Sequence, residues 1–381
     1  MKNLLAILLL LAAGCVQFSY SPTSNSVIEI SVGFSQAKAA PPVVTVTPSR
    51  TSCTAPCSVF FDATATTDAD LAANRAFHAL DYFHIFGDPN SGRWTYGANT
   101  ALSRNQATGA VAGHIFETAD TYTTFHPVSD GVSTAIVRNT IVVTSAETTY
   151  NPNAPLTTDS RTVCVSNVAL PVAGSGGCPS GSFVKLSAVD FDNEVVIQYG
   201  ASSACGAVGC LRMLFNRGET WLQSATTSHS TNSVIIGAYG SGSKPQITLT
   251  AVAHALTFST GISGVVIQDL NFIGTGGVGS ESCGNFNGTS TNVTILRVDC
   301  SGMGGGGFGG SADINTGLFI QDSTIKEYHV GSGVLVWYAN GAILGNFIGD
   351  VNADGEHIIR IAGGRKVVIS NNHVRSVGNS G

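Results

Sequence analysis

Val293-Thr294-Ile295-Leu296-Arg297 and Leu318-Phe319-Ile320-Gln321-Asp322 each run a short apolar, β-branched segment into a polar turn residue. The same pattern stands before them at Val265-Val266-Ile267-Gln268-Asp269. It recurs after them at Ala342-Ile343-Leu344-Gly345-Asn346 and Val367-Val368-Ile369-Ser370-Asn371. Aligning Asp269, Arg297, Asp322, Asn346 and Asn371 gives steps of 28, 25, 24 and 25 residues, with Arg297 the odd rung among acids and amides. A period of roughly 20 to 50 residues built from strand and turn signals marks a solenoid, because one rung alone cannot bury its apolar side. The spacing predicts a parallel β-helix. Asn and Asp at its bends tolerate left-handed torsions and satisfy backbone groups, so Asn371-Asn372 and their equivalents read as a structural ladder.

The rest of the composition fits an exported all-β protein. Of 381 residues only 11% are charged, against roughly a quarter in ordinary soluble proteins, and 45 glycines with many Ser, Thr and Asn fill the deficit. A net charge of −6 argues against a nucleic-acid partner, whose phosphates call for a basic stripe. Met1-Lys2-Asn3 followed by the apolar run 4–13 is too short to span a bilayer and reads as a secretory signal. The run closes on Ala12-Ala13-Gly14-Cys15, which resembles a bacterial lipobox; the resemblance implies lipidation of Cys15 and a membrane contact through that anchor alone.

Nine cysteines less Cys15 leave eight, and these fall into sequence-local pairs: Cys53 with Cys57, Cys164 with Cys178, Cys205 with Cys210, and Cys283 with Cys300. Four local disulfides are the simplest reading. Zinc is disfavoured, since no pair has CxxC spacing and no His pair stands at ligand spacing.

Along the chain, 1–15 is the signal and lipobox, 16–40 a Ser/Thr-rich tether, 41–147 a run of short alternating strands, 148–160 a linker with Pro152 and Pro155, and 161–381 the solenoid. The region 41–147 reads as a β-sandwich. Asp81-Tyr82-Phe83-His84-Ile85-Phe86-Gly87-Asp88-Pro89, Gly113-His114-Ile115-Phe116-Glu117, Asp120-Thr121-Tyr122-Thr123 and Ser129-Asp130-Gly131 resemble a PKD (polycystic-kidney-disease) domain. Pro89 and Asp120 depart from the family's usual glycines. The resemblance implies an Ig-like spacer or contact module without catalysis, with Asp88, His114 and Trp94 in turns and core. Further on, Arg217-Gly218-Glu219-Thr220-Trp221 and Ser233 through Ile247, with Ala238-Tyr239-Gly240-Ser241-Gly242 and Lys244-Pro245, resemble the opening rungs of the pectate-lyase-like superfamily, which implies a right-handed helix. That superfamily contains lyases, hydrolases, epimerases, tailspikes and inert scaffolds, so it fixes no activity.

Chemistry is expected in loops leaving one corner of successive rungs. The stretches 274–292 and 301–316 read as loops of Gly and Ser, whereas 326–333 and 349–357 concentrate ionisable groups. Lyase chemistry on an acidic polysaccharide needs a cation to neutralise the uronate and a base to take the C5 proton. Arg360 suits the first role and His357 or Lys326 the second. Trp337, His329 and Glu356 are the candidate substrate contacts, although of the adjacent Trp337-Tyr338 only one can face out of a strand. Asp350, Asn352 and Asp354, with Gly355, match the first half of a calcium loop, and Ile361 at the twelfth position excludes a complete EF-hand. The rival reading makes these solvated loop charges on a non-catalytic adhesion rod. The chain is also expected to end at Gly381 with a rung half made.

Overall fold

The computed structural model describes residues 40–71, 76–96, 102–145, 162–200, 202–205, 209–229, 232–250, 254–259, 261–276, 281–286, 289–310, 315–336, 338–350 and 354–375. From Thr162 onward the chain coils through three parallel sheets. The first sheet follows the order Phe183–Leu186, Thr162–Ser166, Arg212–Asn216, Ile235–Tyr239, Val266–Gln268, Thr291–Leu296, Asn315–Gln321, Ala342–Leu344 and Val368–Ser370. The middle sheet stacks Thr220–Gln223, Gln246–Leu249, Asn271–Ile273, Asp299–Ser301, Thr324–Lys326, Phe347–Gly349 and His373–Arg375. The third stacks Thr227–His229, His254–Phe258, Ser282–Phe286, Gly306–Gly310, Val330–Val336 and Asp354–Ile361. Each turn of chain lays one strand on each sheet, which is the expected parallel β-helix. Alternate residues point inward to one core, where Ile236, Ile267, Ile295, Ile320 and Ile343 form a single stacked column.

The corner between first and middle sheets needs a left-handed residue in every rung. Asp269, Arg297, Asp322 and Asn371 supply it at φ 57°, 52°, 52° and 57°. In the remaining rung the left-handed residue is Gly345, at φ 63°, so the alignment on Asn346 was one residue late. Leu344 pairs with Ser370, which puts Gly345 opposite Asn371 and Asn346 opposite Asn372. Asn346 is fully buried and belongs to an inner ladder. Its Nδ2 donates to Ile320 O and to Asn372 Oδ1, and its Oδ1 accepts from Ser323 N. The misreading came from polarity, because amide side chains serve both positions.

Two further corners repeat the device at Glu327 and Asp350 (φ 56° and 54°) and at Asn292, Asn340 and Lys366 (φ 54° each). The sequence reads 274–292 and 301–316 as loops, yet they carry the third-sheet strands Ser282–Phe286 and Gly306–Gly310. Glycine depresses strand propensity, but packing requires it here: a Cβ at Gly307 would sit 2.2 Å from Gly333 O. The helix Phe191–Tyr199 was also not foreseen. Its Phe191 and Val195 close the near end of the solenoid core, and the fully buried Glu194 is held by Ser187 Oγ at 2.7 Å and Gln198 Nε2 at 2.5 Å.

The described residues between 41 and 145 form two sheets around one core. Thr47–Pro48, Cys57–Asp62 and Val111–Phe116 make one; Ser52–Thr54, Thr134–Thr144, Asp120–Ser129, Asp81–Ile85 and Gln106–Thr108 make the other. This unit is docked on the outer face of the solenoid's first sheet. Phe60, Trp94 and Ile115 bury themselves against Leu296, Phe319, Ala342 and Leu344. Around that seam Thr294 Oγ1 donates to Ser58 Oγ at 2.9 Å, Arg104 pairs with Asp322 at 2.8 Å, Lys366 donates to Thr64 Oγ1 at 2.9 Å, and Arg297 pairs with Glu117. Arg297 also grips Asp269 through Nε and Nη2 at 2.9 and 3.0 Å. Burial pushes the Asp269 carboxyl up, but Arg297 and Arg217 outweigh it and hold its pKa below the usual range. Burial raises Asp322 despite Arg104.

All four disulfides pair as expected, with Cα separations of 5.7, 6.0, 5.3 and 6.1 Å in chain order. Such bonds fit an oxidising compartment. Cys15, the tether (apart from Ala40) and the linker lie outside the described residues.

The two-sheet core encloses a chain of hydrogen bonds whose proton positions follow from one carbonyl. His84 Nε2 must donate to Gly109 O at 2.8 Å, so neutral His84 accepts at Nδ1 from His126 Nδ1 at 2.7 Å. His126 Nε2 then accepts from Thr124 Oγ1 at 2.8 Å. Burial, then the neighbouring His84, pushes His126 down to about 3, and burial also lowers His84.

Two outcomes are expected. Gly113 lies on the docked strand, and a Cβ there would stand 2.7 Å from Ala342 Cβ and 3.0 Å from the Phe319 ring. Gly113→Val should cost about 1–3 kcal/mol at the seam and raise hydrogen exchange in Asn315–Gln321 and Ala342–Leu344 while leaving the helix Phe191–Tyr199 protected; unchanged exchange in those strands would refute the docking geometry. The second concerns pH. Because the folded pKa of His126 lies below its unfolded value of about 6.5, the unfolded chain binds more protons between the two. Stability therefore falls as pH drops from about 6.5 toward 3, by up to about 1.4 kcal/mol per pH unit for each such histidine. In urea unfolding across that window His126→Asn should show a shallower pH slope than the wild type, and equal slopes would rule out this source.

Candidate functional site

The outer face of the middle sheet gathers residues that no single rung contains. In its three-residue strands the central residue points inward, as with Phe272, Cys300, Ile325 and Ile348, and the flanking pair faces out. Parallel register stacks these flanks into two columns. One runs Gln246, Asn271, Asp299, Thr324, Phe347, His373; the other runs Thr248, Ile273, Ser301, Lys326, Gly349, Arg375. In the last two rungs the first column becomes aromatic. The Phe347 and His373 rings stack at 5.3 Å with an interplanar angle of 14°. Tyr96, contributed by the docked domain, stands 6.1 Å from each. All three are half-buried, so part of each ring stays open to solvent.

The second column puts cations beside this shelf. Lys326 is 38% exposed and pairs with Glu327 at 2.9 Å; Arg375 is 57% exposed and pairs with Asp350 at 2.7 Å. An aromatic surface with charged hydrogen-bonding groups at its edge can stack the C–H face of a sugar ring while the rim engages hydroxyls or carboxylates.

The residues singled out in the sequence are dispersed over this framework. Lys326 ends a middle-sheet strand, whereas His357 and Arg360 are exposed on the third-sheet strand Asp354–Ile361. His329 lies just past the corner between them, its backbone N donating to Met303 O at 3.1 Å. Asp350 is a left-handed corner residue in an ion pair. Asn352 and Trp337 lie outside the described residues, as do the side chains of Asp354 and Glu356. Tyr338 faces inward, fully buried, with its hydroxyl 3.1 Å from Ser290 Oγ. Among the described residues no group of three or more His, Cys, Asp or Glu side chains is placed to hold a metal. Asp88 and His114 are a buried pair 3.0 Å apart, while Trp94 is buried at the seam rather than in the core of its own domain.

A polar trio on the third sheet was also missed. His254 Nδ1 lies 2.8 Å from Ser282 Oγ, and Asn285 Nδ2 lies 3.1 Å from His254 Nε2. With Asn285 donating, the ring proton sits on Nδ1 and is given to the serine, which leaves that hydroxyl without a base. The trio is a clamp across two rungs. The shelf could have been read from rung alignment, since Phe347 and His373 occupy one position of successive rungs; Tyr96 could not, because it comes from the other domain.

Among solved structures the chain is similar to the tailspike protein gp49 from Pseudomonas phage LKA1, at 12% identity and a TM-score of 0.25, over 88% of this chain and 47% of that one. It is similar also to the catalytic domain of a GH87 α-1,3-glucanase in complex with nigerose, at 11% identity and a TM-score of 0.20, over 88% of this chain and 82% of that one. The chain thus spans about half the length of the tailspike. No protein-family model matches, and no curated protein does. Neither the PKD nor the pectate-lyase-like resemblance therefore has a family match behind it, and the fold rests on strand register.

Proposed function

We propose that this chain is an exported glycan-binding protein, anchored through Cys15, in which a PKD-like domain and a right-handed β-helix act as one rigid body at the cell surface. The observation that carries the reading is the shelf of Tyr96, Phe347 and His373 with Lys326 and Arg375 at its edge. Aromatic faces and long cations along a flat parallel sheet suit an extended polysaccharide, whose repeat can follow the rungs at the strand spacing of about 4.8 Å. Four disulfides and a surface low in charged residues are in keeping with that location.

Cleavage is the second reading. In it Arg360 would neutralise a uronate and His357 would take the C5 proton; both are exposed, but three positions apart on one strand they point to opposite faces, which makes cleavage the weaker reading. Ca2+ held through Asp350, Asn352 and Asp354 would assist the same step, in competition with the pairing of Asp350 to Arg375.

The test is affinity electrophoresis and calorimetry of the mature protein on a panel of acidic and neutral polysaccharides, with an unsaturated-product assay run with and without chelator. Phe347→Ala and His373→Ala should each weaken binding by about tenfold, near 1.4 kcal/mol, with the melting temperature unchanged. Failure of the wild type to bind any member of the panel would overturn the reading. Turnover lost in His357→Ala and Arg360→Ala would establish the lyase instead.

A further inference from the structure

The docked domain does not cover the first sheet evenly. One outward column of that sheet runs Arg212, Ile235, Val266, Thr294, Phe319, Ala342. Phe319 and Ala342 are sealed under Phe60 and Ile115, and Thr294 meets Ser58. Toward the earlier rungs the two parts diverge, and a cleft of about 460 Å³ opens between them. Its floor is the apolar pair Ile235 and Val266, with Arg212 on the solenoid side and Arg50 on the opposite wall.

Arg50 is held ready by its neighbours. Its Nε donates to Ser58 O at 2.7 Å and its Nη2 to Ser58 Oγ at 2.6 Å, and Ser58 in turn is bonded to Thr294. The guanidinium is thus fixed at the seam with Nη1 uninvolved in these bonds. No carboxylate among the described residues pairs with Arg50, and none is among the residues lining the cleft. Burial pushes its pKa down to about 10, so the charge persists at neutral pH while it is partly stripped of water. A desolvated cation without an anion is an unfavourable arrangement that a ligand carboxylate relieves, and arginine meets carboxylate in a two-bond fork. Pockets of this size and position, between domains and with a few convergent polar groups on an apolar floor, are where small ligands bind.

We propose that this interdomain cleft binds an acidic saccharide, its carboxylate between Arg50 and Arg212 and one ring face on Ile235 and Val266. Ser52, Ser233, Ser263 and Asn292 on the walls provide hydrogen-bond partners for sugar hydroxyls. The assignment rests on the glycan-binding reading and names a second, charge-selective subsite distinct from the aromatic shelf.

Calorimetry of the mature full chain with trigalacturonate, maltotriose and inorganic sulfate tests it, at low and high salt. Trigalacturonate should bind and weaken with salt, maltotriose should not bind in the cleft, and Arg50→Met and Arg212→Met should each weaken trigalacturonate at least about tenfold. Arg212→Lys should recover only part of the loss, because an ammonium cannot form the fork. Arg212→Met keeps the test valid if loss of Arg50 loosens the seam, which a melting curve reports. Binding of sulfate but not trigalacturonate would overturn the saccharide assignment. So would trigalacturonate binding that both arginine variants retain but Phe347→Ala loses. If trigalacturonate fails while another glycan binds in a manner sensitive to Phe347→Ala, this inference falls and the glycan-binding reading stands.

Discussion

In its later rungs the first sheet of the solenoid is apolar on both faces, and that constraint organises the molecule. Ile295, Ile320 and Ile343 fill the coil, while Leu296, Phe319, Ala342 and Leu344 point the other way on the same strands. A parallel sheet with two apolar faces must be covered on both. The docked domain is that cover. It brings Phe60, Trp94 and Ile115 to the outer face, and truncation of a residue such as Phe319 would cost about 3–5 kcal/mol by the usual measure for a buried aromatic. The two parts are consequently a single body rather than beads on a linker, and both candidate sites exist only because of that. Tyr96 reaches the shelf from the docked domain, and the cleft is the gap that the docking leaves.

The corner ladder shows how a fold requirement is adapted to an interface. Every rung needs a left-handed residue between first and middle sheets, a conformation that disfavours most side chains but tolerates Asn, Asp and Gly. Arg297 occupies that position against propensity. Its reward is tertiary: it ties Asp269 of the previous rung to Glu117 of the docked domain, and Asp322 in the next rung takes Arg104 from the same domain. The odd cation in the ladder is where the ladder meets its partner.

How far the sequence could be read follows from which contacts are local. Rung period, corner residues and the four disulfides were legible because each depends on neighbours within about one coil. The two-sheet domain was legible as a run of short alternating strands, although Asp120–Ser129 and Thr134–Thr144 run to ten and eleven residues. The third sheet was missed where glycine replaces strand formers, since a close approach between rungs selects against side chains without leaving a propensity signal. Docking was present in the sequence as continuous apolar runs, Leu318-Phe319-Ile320 and Ala342-Ile343-Leu344, whose second apolar face went unquestioned. Of the site, Lys326 was singled out for its charge, but Phe347 and His373 carry no motif, and they matter because register superposes them. The His357 and Arg360 pair was read as sharing a groove with Lys326, and the coil instead gives them a different sheet.

That partition bears on mechanism. A lyase site needs the neutralising cation and the base on one side of a bound sugar, within hydrogen-bond reach of adjacent ring atoms. Lys326 spends its ammonium on Glu327 at the edge of the middle sheet, and Arg375 spends its guanidinium on Asp350. Exposed pairs of this kind contribute little to stability and exchange partners readily, so a carboxylated sugar can replace either acid without a large penalty. The same exchange is opposed at Arg297, which is gripped at once by Asp269 of the previous rung and by Glu117 across the seam. Charges on this protein therefore divide into those that hold the domains together, at Arg104 and Arg297, and the exposed pairs of the shelf, Lys326 with Glu327 and Arg375 with Asp350, which the proposed glycan would engage.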